Sequence, residues 1–220
     1  MYSNIKVKKI DHPLLRQKLS FARDRDTGYV WFRDLIEEMS RILAVHALSS
    51  LKTETVEGKN TRELISRDVV LFAQMQSGLA MIKPFIDLYP LCKIGYIGLN
   101  QDNEEGKITQ YYLDLPIYGD SKNIDIFYLV PAIGKGYRAV IALGELIDAG
   151  IAMERIRIVS LLASHQGLEM IDQFFDKRKT ATNGKIKIFT SLIDITPQNH
   201  DVVDSYDLGP VAARLSGISS

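Results

Sequence analysis

The stretch Asp125 to Gly150, DIFYLVPAIGKGYRAVIALGELIDAG, decides how the rest of the chain is read. Ile126-Phe127-Tyr128-Leu129-Val130 is an unbroken apolar run and predicts a buried strand. A short turn with Gly134 and Gly136 follows. Ala139, Val140, Leu143, Leu146 and Ile147 then recur at helical spacing, and Gly150 is placed to end the helix. A strand, a glycine turn and a helix N-terminus together form an anion cradle, because unpaired backbone N–H groups and the helix dipole face the turn. Lys135 and Arg138 add cations there, with Tyr137 between the turn and Arg138. Two readings of Gly134-Lys135-Gly136 stand side by side: a phosphate site, or a tight turn with Lys135 in solvent.

Composition narrows the classes. The chain has 220 residues, 46% hydrophobic and 25% charged, and Lys+Arg and Asp+Glu are both 27. One sizeable α/β domain with a substantial core is expected. Zero formal net charge gives no whole-chain attraction to nucleic acid or anionic membrane. Cys92 is the single cysteine, so neither an intrachain disulfide nor a cysteine-cluster metal site is available. No apolar run reaches the length of a membrane span and the first residues are not a signal peptide, so a cytoplasmic protein is expected.

Working outward, two helices precede any strand signal: one over residues 12–20, and an amphipathic one over 29–51 carrying Phe32, Leu35, Ile36, Met39, Ile42, Leu43 and Leu48. Thr53 to Val56 reads as a strand leading into a loop that runs to Arg67. Alternation follows: a strand at Val69–Phe72, a helix at Gly78–Leu88, and a strand at Lys93–Leu99. Polar residues 100–110 then lead to Tyr111–Leu115, as in a flap or hairpin. Beyond the central unit come a strand at Ile156–Leu162, a helix at Gln166–Phe175, a strand at Lys185–Phe189, and an irregular tail from Thr196. Such alternation predicts a mostly parallel sheet, helices on both faces, and ligands at the carboxyl ends of the strands.

Several motifs along this frame resemble the uracil phosphoribosyltransferase family. They are His12-Pro13-Leu14, Lys18-Leu19, Arg23, Asp26 and Phe32-Arg33, then Ser77-Gly78-Leu79-Ala80-Met81, Glu104-Glu105, Val159 to Ala163, Ile193-Asp194 and His200. The resemblance spans nearly the whole chain. It implies a type I phosphoribosyltransferase-like fold over residues 1–220, with a helical arm at 1–52, a flap at 99–118 and a hood at 196–220. It also implies a homodimer or larger homo-oligomer.

The motifs that carry the family's chemistry depart from its pattern. The family ends its central strand in an aspartate that holds the ribose hydroxyls, followed by a proline and a Thr-Gly-Gly-Ser-like phosphate loop. Here Val130 takes the aspartate position, Pro131 and Gly136 remain, and Tyr137 and Arg138 replace small residues. An isopropyl group accepts no hydrogen bond. In the pyrophosphate loop the family's arginine is replaced by Gln76, before Ser77 and Gly78. A neutral amide cannot offset charge on a departing pyrophosphate. The hood run Val203 to Arg214, with Asp204, Ser205 and Tyr206, matches cleanly only at Gly209.

These departures lead to the expectation of a family member that has lost catalysis, with no catalytic residue assigned. It would bind or regulate, taking a phosphorylated small molecule, a nucleotide or a protein partner. The rival expectation is a retained transferase making uridine monophosphate from uracil and phosphoribosyl pyrophosphate. Only that rival needs Mg²⁺, and Asp125, Asp102 or Glu104-Glu105 would then serve the ribose and the ion. His12, His46, His165 and His200 show no metal spacing, and His165 is the best placed of them.

Overall fold

The computed structural model describes residues 2–58, 60–101, 107–117, 121–178, 184–194, 208 and 211–217. Its strands are β1 (Ile5–Lys9), β2 (Thr53–Val56), β3 (Arg62–Ile65), β4 (Asp68–Gln74), β5 (Lys93–Gln101), β6 (Ile108–Asp114), β7 (Ile124–Leu129), β8 (Ala132–Ile133), β9 (Ile156–Ser164) and β10 (Ile186–Asp194). Its helices are α1 (Pro13–Arg23), α2 (Tyr29–Leu48), α3 (Ile82–Leu88), α4 (Tyr137–Asp148), α5 (His165–Arg178) and α6 (Val211–Ser216).

An eight-stranded sheet runs β1-β10-β9-β7-β4-β5-β6, with β8 beside β9. Its pairings are parallel except β5 with β6, which form an antiparallel hairpin. The strands are apolar on both sides because both faces are covered. Val69, Leu71 and Ala73 of β4, with Phe127 and Leu129 of β7, meet Leu15, Leu19, Phe32, Ile36, Met39 and Phe85 on one face. Val70, Phe72, Ile126, Tyr128 and Val130 turn the other way, toward Ala139, Leu143, Leu146, Leu168 and Ile171 of α4 and α5. This two-faced arrangement is the expected α/β fold.

Four local expectations are corrected. A strand precedes the helices: β1 adds to the sheet edge through parallel pairing with β10. IKVKK carries too few apolar residues to declare itself, and its strand conformation is set by that pairing. The segment expected to loop toward Arg67 contains β3, which pairs antiparallel with β2. β8 is a two-residue strand inside what reads as a turn.

The tail also holds α6, tied down by Arg214. That guanidinium donates to the carbonyls of Ala22, Asp24, Thr27 and Leu208 and lies 3.8 Å from the centroid of the Phe32 ring. Arg33 donates to the Leu215 carbonyl from the other side.

Candidate anion site at the carboxyl ends of the central strands

Two loops meet where β4 and β7 end. Gly78 sits so close to β7 that a Cβ there would lie 2.3 Å from the Leu129 carbonyl oxygen. Only glycine fits, so the Gln76-Ser77-Gly78 loop is pressed against the strand that leads to Val130. Gln76 adopts φ 67°, left-handed geometry unusual for a side-chain-bearing residue, and its side chain is exposed.

The second loop is stitched to β9 and α5. Val130 N–H donates to Val159 O (3.2 Å), and Pro131 O accepts from the N–H groups of Leu161 (2.9 Å) and Leu162 (3.1 Å) and from Ser160 Oγ (3.2 Å). Ser164 Oγ donates to Gly134 O (2.7 Å) while accepting from Gly167 N (2.9 Å). Gly136, at φ 86°, precedes α4, whose N-terminus has no side-chain cap and no acid in its first turn. The first-turn N–H groups and the positive dipole end therefore face Lys135 and the loop with no capping carboxylate among the described residues.

The side chains expected here divide clearly. Val130 is 4% exposed and belongs to the apolar core between the sheet and α4–α5. Lys135 is exposed, and Tyr137 is 49% exposed, on the solvent side of the turn. Arg138 reaches sideways, donating to Gln101 Oε1 at the end of β5 (3.3 Å).

Asp204, Ser205, Tyr206 and Gly209 lie outside the described residues, as do Asp102, Glu104, Glu105 and His200. Asp125 is corrected as a ribose or Mg²⁺ ligand. It sits near the start of β7, roughly 16 Å of strand before Val130, and is buried against Arg157 Nη1 at 2.9 Å. His12 caps α1 by accepting from Leu14 N (3.2 Å), and His46 sits in the last turn of α2. Both are structural placements, whereas His165 opens α5 beside the loop. Among the described residues no group of three or more His, Cys, Asp or Glu is placed to hold a metal ion.

Sequence reading missed a buried polar chain beneath the two loops. Tyr128 Oη donates to Gln74 Oε1 (2.9 Å), and Gln74 Nε2 donates to Ser77 Oγ (3.3 Å). Parallel pairing aligns Phe72 with Tyr128 and Ala73 with Leu129, so Gln74 is next in line beside Val130. A neutral amide thus stands beside Val130. Burial drives the Tyr128 phenol well above its ordinary range, with Arg138 pulling modestly back. It stays protonated and can donate. The stability that follows is present below the ordinary tyrosine pKa near 10 and declines as pH rises past it.

Removing the phenol hydroxyl leaves Gln74 Oε1 without its donor. Tyr128→Phe is expected to cost about 1–3 kcal/mol in chemical denaturation, and Gln74→Leu combined with Tyr128→Phe less than the sum of the single changes. Additive losses would show that the two groups act independently.

Comparison with known proteins follows this geometry. The family model for uracil phosphoribosyltransferase matches residues 9–203. A protein of Desulfitobacterium hafniense named uracil phosphoribosyltransferase is 30% identical over 218 residues, covering 96% of this chain and 98% of its own. Its counterpart in Symbiobacterium thermophilum is 32% identical over 214 residues, 94% and 96% of the two chains. Among solved structures, the AQ2163 protein from Aquifex aeolicus superposes with a TM-score of 0.80 at 21% identity, covering 97% of this chain and 99% of its own, which shows a shared fold. The doubly covered sheet, the two loops at its carboxyl ends and a family match along almost the whole length agree: this chain belongs to the uracil phosphoribosyltransferase family.

Proposed function

We propose that this chain keeps the family's scaffold and phosphate cradle but does not transfer the phosphoribosyl group. It holds a phosphorylated small molecule or nucleotide at the loop running from Val130 to Arg138. One observation carries the reading. Val130 is buried in the core at the end of β7, and residues 74–81 and 129–138 contain no Asp or Glu. A ribose diol placed there meets a methyl-bearing surface and an amide already engaged by Tyr128 and Ser77. An unmet hydroxyl costs about 1–3 kcal/mol, and a missing cation at a leaving pyrophosphate costs more.

The test is formation of uridine monophosphate from uracil and phosphoribosyl pyrophosphate with Mg²⁺. The unmodified protein is expected to give no product above background, and Val130→Asp with Gln76→Arg to give measurable turnover. Robust turnover by the unmodified chain defeats the reading.

A second reading, retained transfer, is favoured by the full-length identity to proteins named uracil phosphoribosyltransferase. It requires Mg²⁺ and diol ligands from Asp102, Glu104 or Glu105, so loss of turnover in the triple alanine variant would support it.

The arm at 1–52, the flap at 99–118 and the hood at 196–220 are kept as the proposed division of one domain. A homodimer or larger homo-oligomer is proposed through the arm. The exposed Tyr29, Val30 and Trp31 support this, Trp31 lying tilted against Phe21 at 5.2 Å between ring centroids.

A further inference from the structure

Far from these loops, at the amino ends of the strands, positive charge is concentrated. Lys6 of β1 is the register partner of Lys187 of β10, and Lys187 is the register partner of Arg157 of β9. Residues in register on parallel strands project to the same face, so three cations stand in a row on backbones about 4.8 Å apart. Lys52, four residues past α2 and two past the Ser50 that Arg157 holds by its hydroxyl and carbonyl, adds a fourth cation.

The nearby offset comes from Asp125, whose charge also bears on Lys187. Asp125 is engaged by Arg157 at 2.9 Å and approached by Arg155 at 3.8 Å. Ser50, by its hydroxyl and its carbonyl, completes the shell of Arg157 alone. Asp172 and Asp176 belong to α5, on the opposite face. There Asp172 accepts from the N–H groups of Ser3, Asn4 and Ile5, and Asp176 from the Asn4 amide. Among the described residues, Lys6, Lys52 and Lys187 make no ion pair. Burial and then Arg157 push the Lys187 ammonium below its ordinary range, Asp125 pulls it back, and Lys6 and Lys52 add to the push.

Edge lysines often serve only to block pairing with a second sheet, and this accounts for Lys6 and Lys8. It does not account for Lys187. That residue is half-buried on an inner strand with a cation on either side, an arrangement that like-charge repulsion disfavours. An anion seated among the three ammonium groups would relieve that repulsion. Flexible lysine stems suit a compact, multiply charged group better than a planar carboxylate, which calls for arginine.

We propose that Lys6, Lys52 and Lys187 form a second anion site for a diphosphate group, free or as the end of a nucleotide. It lies at the other end of the sheet from the Val130–Arg138 loop, roughly 23 Å away along β9.

Titration calorimetry with inorganic diphosphate, and separately with a nucleoside diphosphate, tests this at low ionic strength without Mg²⁺. The variants are Lys6→Gln with Lys187→Met, and, as a control, Lys135→Gln with Arg138→Gln. The first pair is expected to weaken one binding event at least about tenfold, and the control pair to leave that event in place. Unliganded Lys187→Met should melt at the same temperature as the parent or higher, since a repelled charge is removed.

Equal affinity for the two ligands assigns the site to the diphosphate alone, and tighter nucleotide binding adds contacts to the nucleoside. Absence of diphosphate binding, or binding untouched by the Lys6 and Lys187 changes, overturns the proposal. So does a melting temperature several degrees lower in unliganded Lys187→Met, which would make the lysine structural.

Discussion

Replacing Asp125 with Asn is expected to cost about 3–5 kcal/mol of stability, because it leaves the Arg157 guanidinium buried with its charge unanswered. Both side chains are almost wholly enclosed, at 2% and 4% exposure, and the ion pair is 2.9 Å long. Arg157 also lies 5.3 Å from the centroid of the Phe127 ring, so its position is fixed by packing and it cannot swing to water. For a chain of this size the loss corresponds to a fall in melting temperature of roughly 10 °C. Replacing both partners at once, Asp125→Leu with Arg157→Met, is expected to recover most of it, since no charge is then left behind. Calorimetric melting of the parent and these two variants decides the matter. A single variant within 1 °C of the parent would mean that water or another acid reaches Arg157.

Gly167→Ala is the second large effect. A Cβ there would lie 2.2 Å from the Gly134 carbonyl oxygen and 2.8 Å from Ile133 Cγ2. Neither atom is at the end of a flexible side chain, so the loop and α5 must move apart. The bridge from Gly167 N through Ser164 Oγ to Gly134 O would open as they do. A loss of about 3 kcal/mol is expected, with weakened binding of any phosphate held by the loop. Gly28→Ala is the matched control. A Cβ at Gly28 meets nothing within 4 Å, and the change should stay within about 0.5 kcal/mol. Equal melting temperatures for the two variants would show that the loop can yield without penalty.

The sequence made the frame legible where one residue pattern sufficed. The stripe along α2 and the apolar run of β7 announce their elements because burial there is periodic or continuous. β1 and β8 stayed hidden, since each is a strand only by virtue of β10 or β9 lying alongside. The place of Lys135 and Gly136 in a turn between a strand and a helix was readable from the strand–turn–helix order.

Gln74 and Tyr128 were not readable. They lie 54 residues apart, and their hydrogen bond exists only through the pairing of β4 with β7. Asp125 misled for the related reason that closeness in sequence to Val130 is distance along an extended strand. A carboxylate five residues upstream faces the opposite end of the sheet.

The Gln74–Tyr128 pair has one further consequence. Beside Val130 this chain places an amide locked to a phenol that burial keeps protonated. On the proposed reading, an occupant of the Val130–Arg138 loop would feel no titration of this floor. Whatever selectivity that floor imposes comes from shape and donor direction, and it should hold unchanged from acid to mildly alkaline solution.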